Sequence, residues 1–403
     1  MNDSRPIEAD RRLIYPTCLH FFGIFAFAAA SGAPTPLYPF YQERLGLTPG
    51  LLTLVFAVYS AGLLVSLFTV GGISDFVGRR PAIFGAYALQ VVALSMFLIA
   101  DDLTMLIAAR FVQGFATGAG NSALGAALTD ANRPQGPLLN AIAPLIGMGV
   151  GAAGSSSLVT FAPAPMRLVF ALLLAIVLAQ LLLLFTAPET AARRPGALAS
   201  LRPQLFLPKQ AVRAFLIVSP ANIACWALGS FFLSLLPSLL RTASGSTSPI
   251  VGGLAVLALT APGTIAILVM RLRSPTHILQ LSTIALVIGL VVILTAVQSG
   301  MPVLLLVGTL IAGVGHGTAF LGSLRCLLPL ARPQERAGLL AALFVESYLA
   351  FSLPAVGAGF LSQRIGLVAT TEIFAVALIV LALVALVATR LFLRKMPAAA
   401  AGA

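Results

Sequence analysis

Long apolar runs separated by short polar intervals constrain this 403-residue chain more than any single residue does. The runs recur from Ile14 to Leu391, and charged side chains, 9% of the chain, sit almost entirely in the gaps. A helix rises ~1.5 Å per residue, so about 20 apolar residues cross the ~30 Å hydrocarbon core of a bilayer. Hydrophobic residues make up 59% of the chain, with a mean hydropathy of +1.02. That leaves too little charge to cover a water-soluble surface of this size. No barrel-like alternation of apolar and polar residues occurs, so the spans are helical. The sequence predicts twelve, over 14–37, 50–70, 82–100, 104–125, 137–160, 167–186, 212–239, 249–270, 278–297, 302–324, 337–361 and 367–391.

Loop charge sets the expected orientation. One set of segments holds 19 basic residues, among them Arg79, Arg80, Arg133, Arg193, Arg194, Arg202, Arg271, Arg273, Arg325, Arg332, Arg336, Arg394 and Lys395. The other set holds Arg44, Arg167, Arg241 and Arg364, and Arg110 lies inside a span. Both chain ends are therefore expected in the cytoplasm of a cell whose inner (plasma) membrane the chain crosses many times. The net charge of +12 reads as basic loops facing an anionic leaflet, not as a nucleic-acid surface. Cys18, Cys225 and Cys326 show neither a disulfide framework nor metal-ligand spacing. Met1–Ile14 is polar and carries Asp3, Glu8 and Asp10, unlike a cleavable signal peptide.

Pro188–Gln210 is the longest polar stretch. The expected division is a tail at 1–13, a six-helix bundle at 14–186, a linker at 187–211, a second bundle at 212–391 and a tail at 392–403. A weak repeat relates the bundles. Pro36 precedes Gly118 by 82 residues, and Pro237 precedes Gly317 by 80.

Between the second and third runs lies Gly71-Gly72-Ile73-Ser74-Asp75-Phe76-Val77-Gly78-Arg79-Arg80-Pro81. Gly71 and Gly72 would let another helix approach closely, Gly78 permits a turn, and Pro81 suits a first helical turn. Asp75 needs a partner, from Arg79, Arg80 or a helix N-terminus. This Gly-x-x-x-Asp-x-x-Gly-Arg-Arg pattern resembles the loop 2–3 motif of the major facilitator superfamily. The run Arg110-Phe111-Val112-Gln113-Gly114 is similar to that family's helix 4 motif. The resemblance implies an all-α fold of twelve transmembrane helices in two pseudo-symmetric six-helix bundles, working by alternating access. It also implies that Gly71, Asp75, Gly78, Arg79 and Arg80 gate the cytoplasmic face, Asp75 meeting the start of helix 11 near Arg336-Ala337-Gly338. The alternative is a solvated turn with an incidental ion pair.

The membrane interior offers the coupling and substrate candidates Arg110, Gln113, Gly114, His316 and Glu346. Arg110 either serves proton or anion handling or snorkels toward Asp101 or Asp102. Glu346 sits about nine residues, or ~13 Å, into helix 11, and reads equally as a proton site or as interhelical glue. His316 is the one histidine deep in a span, and a satisfied core histidine is the competing reading. His20 and His277 are expected at interfaces. Gly147-Met148-Gly149-Val150-Gly151 in helix 5 only faintly resembles an antiporter motif, and close packing accounts for it. The second-half loop Met270-Arg271-Leu272-Arg273-Ser274-Pro275 keeps the basic pair and loses the aspartate.

No phosphate loop, metal cluster or nucleophile–base pair appears, so no enzymatic chemistry, cofactor or metal is expected. The expected activity is proton-coupled export of small amphiphilic compounds by a monomer, with the proton gradient as energy source and the bilayer and substrate as partners. An uptake carrier of the same fold and a non-transporting sensor are the alternatives.

Overall fold

In a computed structural model, the structure describes residues 5–201, 205–239, 248–332 and 334–392. The expected basic residues Arg202, Arg241, Arg394 and Lys395 lie outside them, as does the tail from 393 onward. Among the described residues, twelve helices have 20 residues or more: α1 (Arg5–Gly32), α2 (Pro49–Thr69), α3 (Arg79–Leu98), α4 (Leu103–Ala131), α5 (Gly136–Phe161), α6 (Pro165–Leu184), α7 (Lys209–Ser234), α8 (Pro249–Met270), α9 (Pro275–Ser299), α10 (Pro302–Leu327), α11 (Arg336–Ile365) and α12 (Leu367–Phe392).

Eleven of them carry a window apolar enough to cross a membrane. The exception is α4, which holds Arg110, Gln113 and Asn121 and lies against α1, α2, α3 and α5 instead of lipid. Helix ends differ from the expected ones for local reasons. α1 starts nine residues earlier than 14 and stops at Gly32. Pro34, Pro36 and Pro39 each lack an amide donor, so the chain continues as a 3-10 turn, Thr35–Leu37, and a short helix, Tyr38–Leu45. α4 runs on to Ala131, past the expected 125.

One end of the molecule brings together the loops α2–α3, α4–α5 and the segment after α6, through Arg79, Asp130 and Glu189. Arg325 ties the end of α10 to the α8–α9 loop on the same end. We call this the basic end. At the opposite end Arg44 pairs with Asp101 at 2.6 Å, and Ser238 donates to Gln42 at 3.3 Å. Within the first six helices the main contacts are α2–α4, α1–α5, α3–α4 and α3–α6; within the last six they are α9–α10, α8–α10, α9–α12 and α7–α11. Two seams join these sets, α5 along α8 and α2 along α11. Large apolar side chains such as Leu182, Val291 and Val380 stand exposed on α6, α9 and α12, as a surface facing hydrocarbon requires.

The repeat extends to backbone contacts. A Cβ on Gly114 of α4 would run into the Tyr59 carbonyl of α2, and one on Gly118 would lie 2.8 Å from the Leu63 carbonyl. In the last six helices, Gly313 and Gly317 of α10 meet the Leu259 carbonyl and Gly263 of α8 in the same way. Small residues at these crossings let backbones touch where no hydrophobic force draws helices together.

Candidate functional site at the basic end and the midplane

The charged hairpin is organised by Arg79. Its Nη1 donates to Ser74 Oγ at 2.7 Å and pairs with Asp75 Oδ1, while its Nε donates to Asp130 Oδ2 at 3.0 Å. Asp130 ends α4 and also accepts from Thr190 Oγ1 at 3.2 Å. Arg80 leaves Asp75 alone and donates to the Phe185 carbonyl at the C-terminus of α6, where the helix dipole favours a cation. Gly78 has φ +99°, a conformation costly for other residues. The expected close helix approach at Gly71 and Gly72 is not made. Gly71 is crowded by the Leu67 carbonyl of its own chain, and Gly72 has open space around its Cα.

Glu189, at the head of the linker, caps α3 from 110 residues away. Its carboxylate accepts from the Arg79 amide at 2.8 Å and the Arg80 amide at 3.0 Å. A Cβ on Gly78 would stand 2.7 Å from its Oε2, so the glycine makes room for the cap. Partial burial pushes this carboxyl up, but amide donation from Ala191, Arg79, Arg80 and Thr190 outweighs it and holds it below its ordinary value. A depressed carboxylate stabilises the fold above its unfolded pKa and loses that contribution as pH falls through the folded one. Melting temperature should therefore drop on acidification below the usual carboxylate range, and drop less in Glu189→Gln. A scan of both proteins at neutral and acidic pH checks this, and parallel curves would refute it.

The linker continues along the hairpin: the Arg194 amide donates to the Phe76 carbonyl at 2.8 Å. Its far end is held by the other six helices. Gly338 of α11 packs on Phe206, and just beyond, at the start of α7, Gln210 Nε2 donates to Glu335 Oε2 at 2.7 Å. Asp75 stays 61% exposed with Arg79 as its ion-pair partner; the contact expected between Asp75 and the start of α11 is not formed in this structure.

In the interior, Arg110 does not snorkel. Asp101 is taken by Arg44, and Asp102 caps α4 through the Met105 amide at 2.7 Å. Arg110 is 1% exposed. Its Nη1 donates to Gln113 Oε1 at 2.7 Å, and Gln113 Nε2 donates to the Ala30 carbonyl of α1 at 2.8 Å. The guanidinium lies 4.7 Å from the Tyr59 ring centre and 5.9 Å from that of Phe56. A desolvated cation–π contact contributes about 2 kcal/mol against a burial cost of several, and Nε stays unpartnered. Gly114, one residue on from Gln113, serves the α2 crossing described above.

Phe56 also begins an aromatic belt that crosses the α2–α11 seam. It meets Phe351 at 4.9 Å; Trp226 of α7 meets Tyr348 at 4.9 Å, Phe351 at 5.8 Å and Phe320 at 5.7 Å. The belt was not anticipated, although Phe344, Tyr348 and Phe351 follow helical spacing on one face of α11. Glu346 sits beside it and joins α11 to α7, accepting from Ser219 Oγ and from Asn222 Nδ2 at 2.8 Å. His316 Nδ1 is 2.9 Å from the Cys225 carbonyl, and its ring rests on Gly229, the geometry of a packed core histidine. Ser274 caps α9, its Oγ accepting from the His277 amide at 3.4 Å and lying 2.6 Å from His277 Nδ1. His20, six residues into the apolar part of α1, is buried within the protein.

Asp130 and Glu189 are the site residues that sequence reasoning missed. Asp130 lies at the end of α4 and Glu189 in the linker, and only their placement on the basic face could have drawn attention.

The family model described as Major Facilitator Superfamily matches residues 21–277. An "Uncharacterized transporter" of Rickettsia felis is 30% identical over 83 residues, 21% of this chain and 20% of that protein. Multidrug resistance protein MdtL of Escherichia coli is 30% identical over 80 residues, 20% of each. The matched stretches thus span about a fifth of these curated relatives. Among solved structures, the human organic anion transporter MFSD10 (TETRAN) is 16% identical, with 93% of this chain and 99% of that one covered and a TM-score of 0.67. The E. coli xylose transporter XylE, in a partially occluded inward-open conformation, is 14% identical, with 96% and 98% covered and a TM-score of 0.72. At these identities the likeness to solved structures is one of fold.

Proposed function

Because this chain belongs to the major facilitator superfamily, and is a multi-pass membrane transporter and not an enzyme, we propose that it exports small amphiphilic compounds from the cytoplasm in exchange for protons. In this reading the basic end faces the cytoplasm and the structure stands open toward it.

One observation carries the proposal: the halves interlock at the opposite end and not at the hairpin. A Cβ on Gly50 would lie 2.7 Å from the Phe360 ring, one on Gly359 would lie 2.9 Å from the Pro49 carbonyl, and one on Gly253 would lie 2.7 Å from the Ala152 carbonyl. At the basic end the hairpin grips the start of the linker and α11 grips its finish. Breaking the glycine seams and docking Asp75 on α11 would give the other state of an alternating-access cycle. The aromatic belt lies between the two ends and suits an apolar or aromatic cargo.

The test is flux. Purified protein in liposomes should concentrate a fluorescent amphiphilic dye such as ethidium only under an imposed pH gradient. A panel of such dyes that neither moves nor dissipates the gradient would overturn the reading. Glu346→Gln keeps the size of the side chain and removes its titration. It should leave downhill dye flux intact and abolish accumulation driven by the pH gradient; unchanged coupling would remove Glu346 from the proton route.

A further inference from the structure

Between α1 and α3 three fully buried polar side chains have no partner for any terminal polar atom. His20 is 1% exposed, Tyr87 1% and Gln90 0%. The five atoms left without hydrogen bonds are His20 Nδ1 and Nε2, the Tyr87 hydroxyl, and Gln90 Oε1 and Nε2. They lie together. His20 stands one turn from Gly23 on α1, and a Cβ on Gly23 would be 2.5 Å from the Tyr87 hydroxyl. The Tyr87 ring stacks on Phe27, a turn further along α1, with centroids 5.4 Å apart. Gln90 follows Tyr87 by one turn of α3, and Leu124 of α4 closes the far side.

Unsatisfied polar atoms at membrane depth cost several kcal/mol each. Buried water, making two to four hydrogen bonds per molecule, is the usual remedy at a polar site. We propose that the His20 ring and the Tyr87 hydroxyl, meeting at Gly23, enclose internal water that makes His20 a proton-binding site within the first six helices.

The charges around it are few. α4 brings Asp130, less than two turns beyond the Leu124 that faces Gly23 and toward the basic end, the side on which His20 also lies. α3 brings Tyr87 and, through its pair with Asp130, Arg79. α5 has no ionisable side chain, and the one on α6, Arg167, is at the opposite end. A proton on His20 would therefore draw on the same carboxylate that Arg79 uses to hold the hairpin. That links protonation to the gating loop without passing through Glu346 or His316. The site deepens the proton-coupled reading and rests on it for its role in transport.

The chain has three histidines, so nitrogen-15 histidine labelling of the full-length protein in phosphatidylethanolamine–phosphatidylglycerol liposomes gives three resolvable rings. His20→Gln and His277→Gln assign them. Water-edited solid-state spectra should transfer magnetisation from water to the His20 nitrogens. Lowering the pH should replace their neutral pattern by the doubly protonated one. Asp130→Asn should move that midpoint down by about one pH unit or more, because a favourable negative charge is lost. A His20 ring that receives no water magnetisation and keeps one neutral tautomer throughout would overturn the site, even if dye flux is proton-driven. A hydrated, titrating His20 in a protein that moves no dye and no protons would uphold the site and overturn the coupled-export reading.

Discussion

Arg79→Ala should reduce dye flux in liposomes by tenfold or more. The guanidinium bridges Ser74, Asp75 and Asp130 at once, and hydrogen bonds to charged groups are worth about 1.5–3 kcal/mol each. Its loss leaves Asp75 and Asp130 without a counter-charge beside the Glu189 cap. Any part of that energy that differs between the two states of the cycle shifts their balance, and ~1.4 kcal/mol is already tenfold. Arg79→Lys keeps the charge but not the planar fork that reaches several acceptors, and should fall between wild type and alanine. Initial rates under a fixed pH gradient measure the effect, with reconstituted amounts matched. An alanine variant with wild-type rates would show that the hairpin cluster is an incidental surface network.

Gly114→Val should have the largest effect on folding. The valine methyls would have to enter the space held by the Tyr59 carbonyl and the backbone of α2. Over-packing a core side chain costs about 1–3 kcal/mol, and here the obstacle is main chain that a rotamer change cannot relieve. Gly313→Val should fail in the same way at the Leu259 carbonyl, because α8 and α10 repeat the crossing of α2 and α4. Both should lower the yield of monodisperse protein and its melting temperature. Gly72→Val, in open space on the hairpin, is the matched control and should be close to silent. Equal melting temperatures for all three would mean that the helices adjust more freely than these contacts allow.

The number and order of the helices are legible in the sequence because a span is a local property: about 20 apolar residues between charged gaps. Even α4, too polar for a lipid-facing window, is marked by the charge sorting of its loops. Helix ends are less legible where the cause is not apolarity. The three prolines from Pro34 to Pro39 are plain to read, yet the apolar run continues past them. Arg110 and Gln113 are a turn apart, so their pairing follows from helical spacing. The partners of Arg79 do not: Asp130 is 51 residues away and Glu189 caps the α3 amides from 110. Only the packing of α3 against α4 and α6 brings them together. The burial of His20 is of the same kind, since it comes from how α1 packs and not from its neighbours in sequence.

The linker is fastened on both sides, to the hairpin through Arg194 and to the last six helices through Phe206 and Gln210. Twelve residues separate the Arg194 and Phe206 anchors, and an extended chain covers at most ~3.3–3.6 Å per residue. The covalent leash between the first six and the last six helices therefore has a contour of about 40 Å. While the clasps at its two ends hold, that contour is a ceiling on how far the two sets can part at the basic end, set by chain length alone and indifferent to cargo.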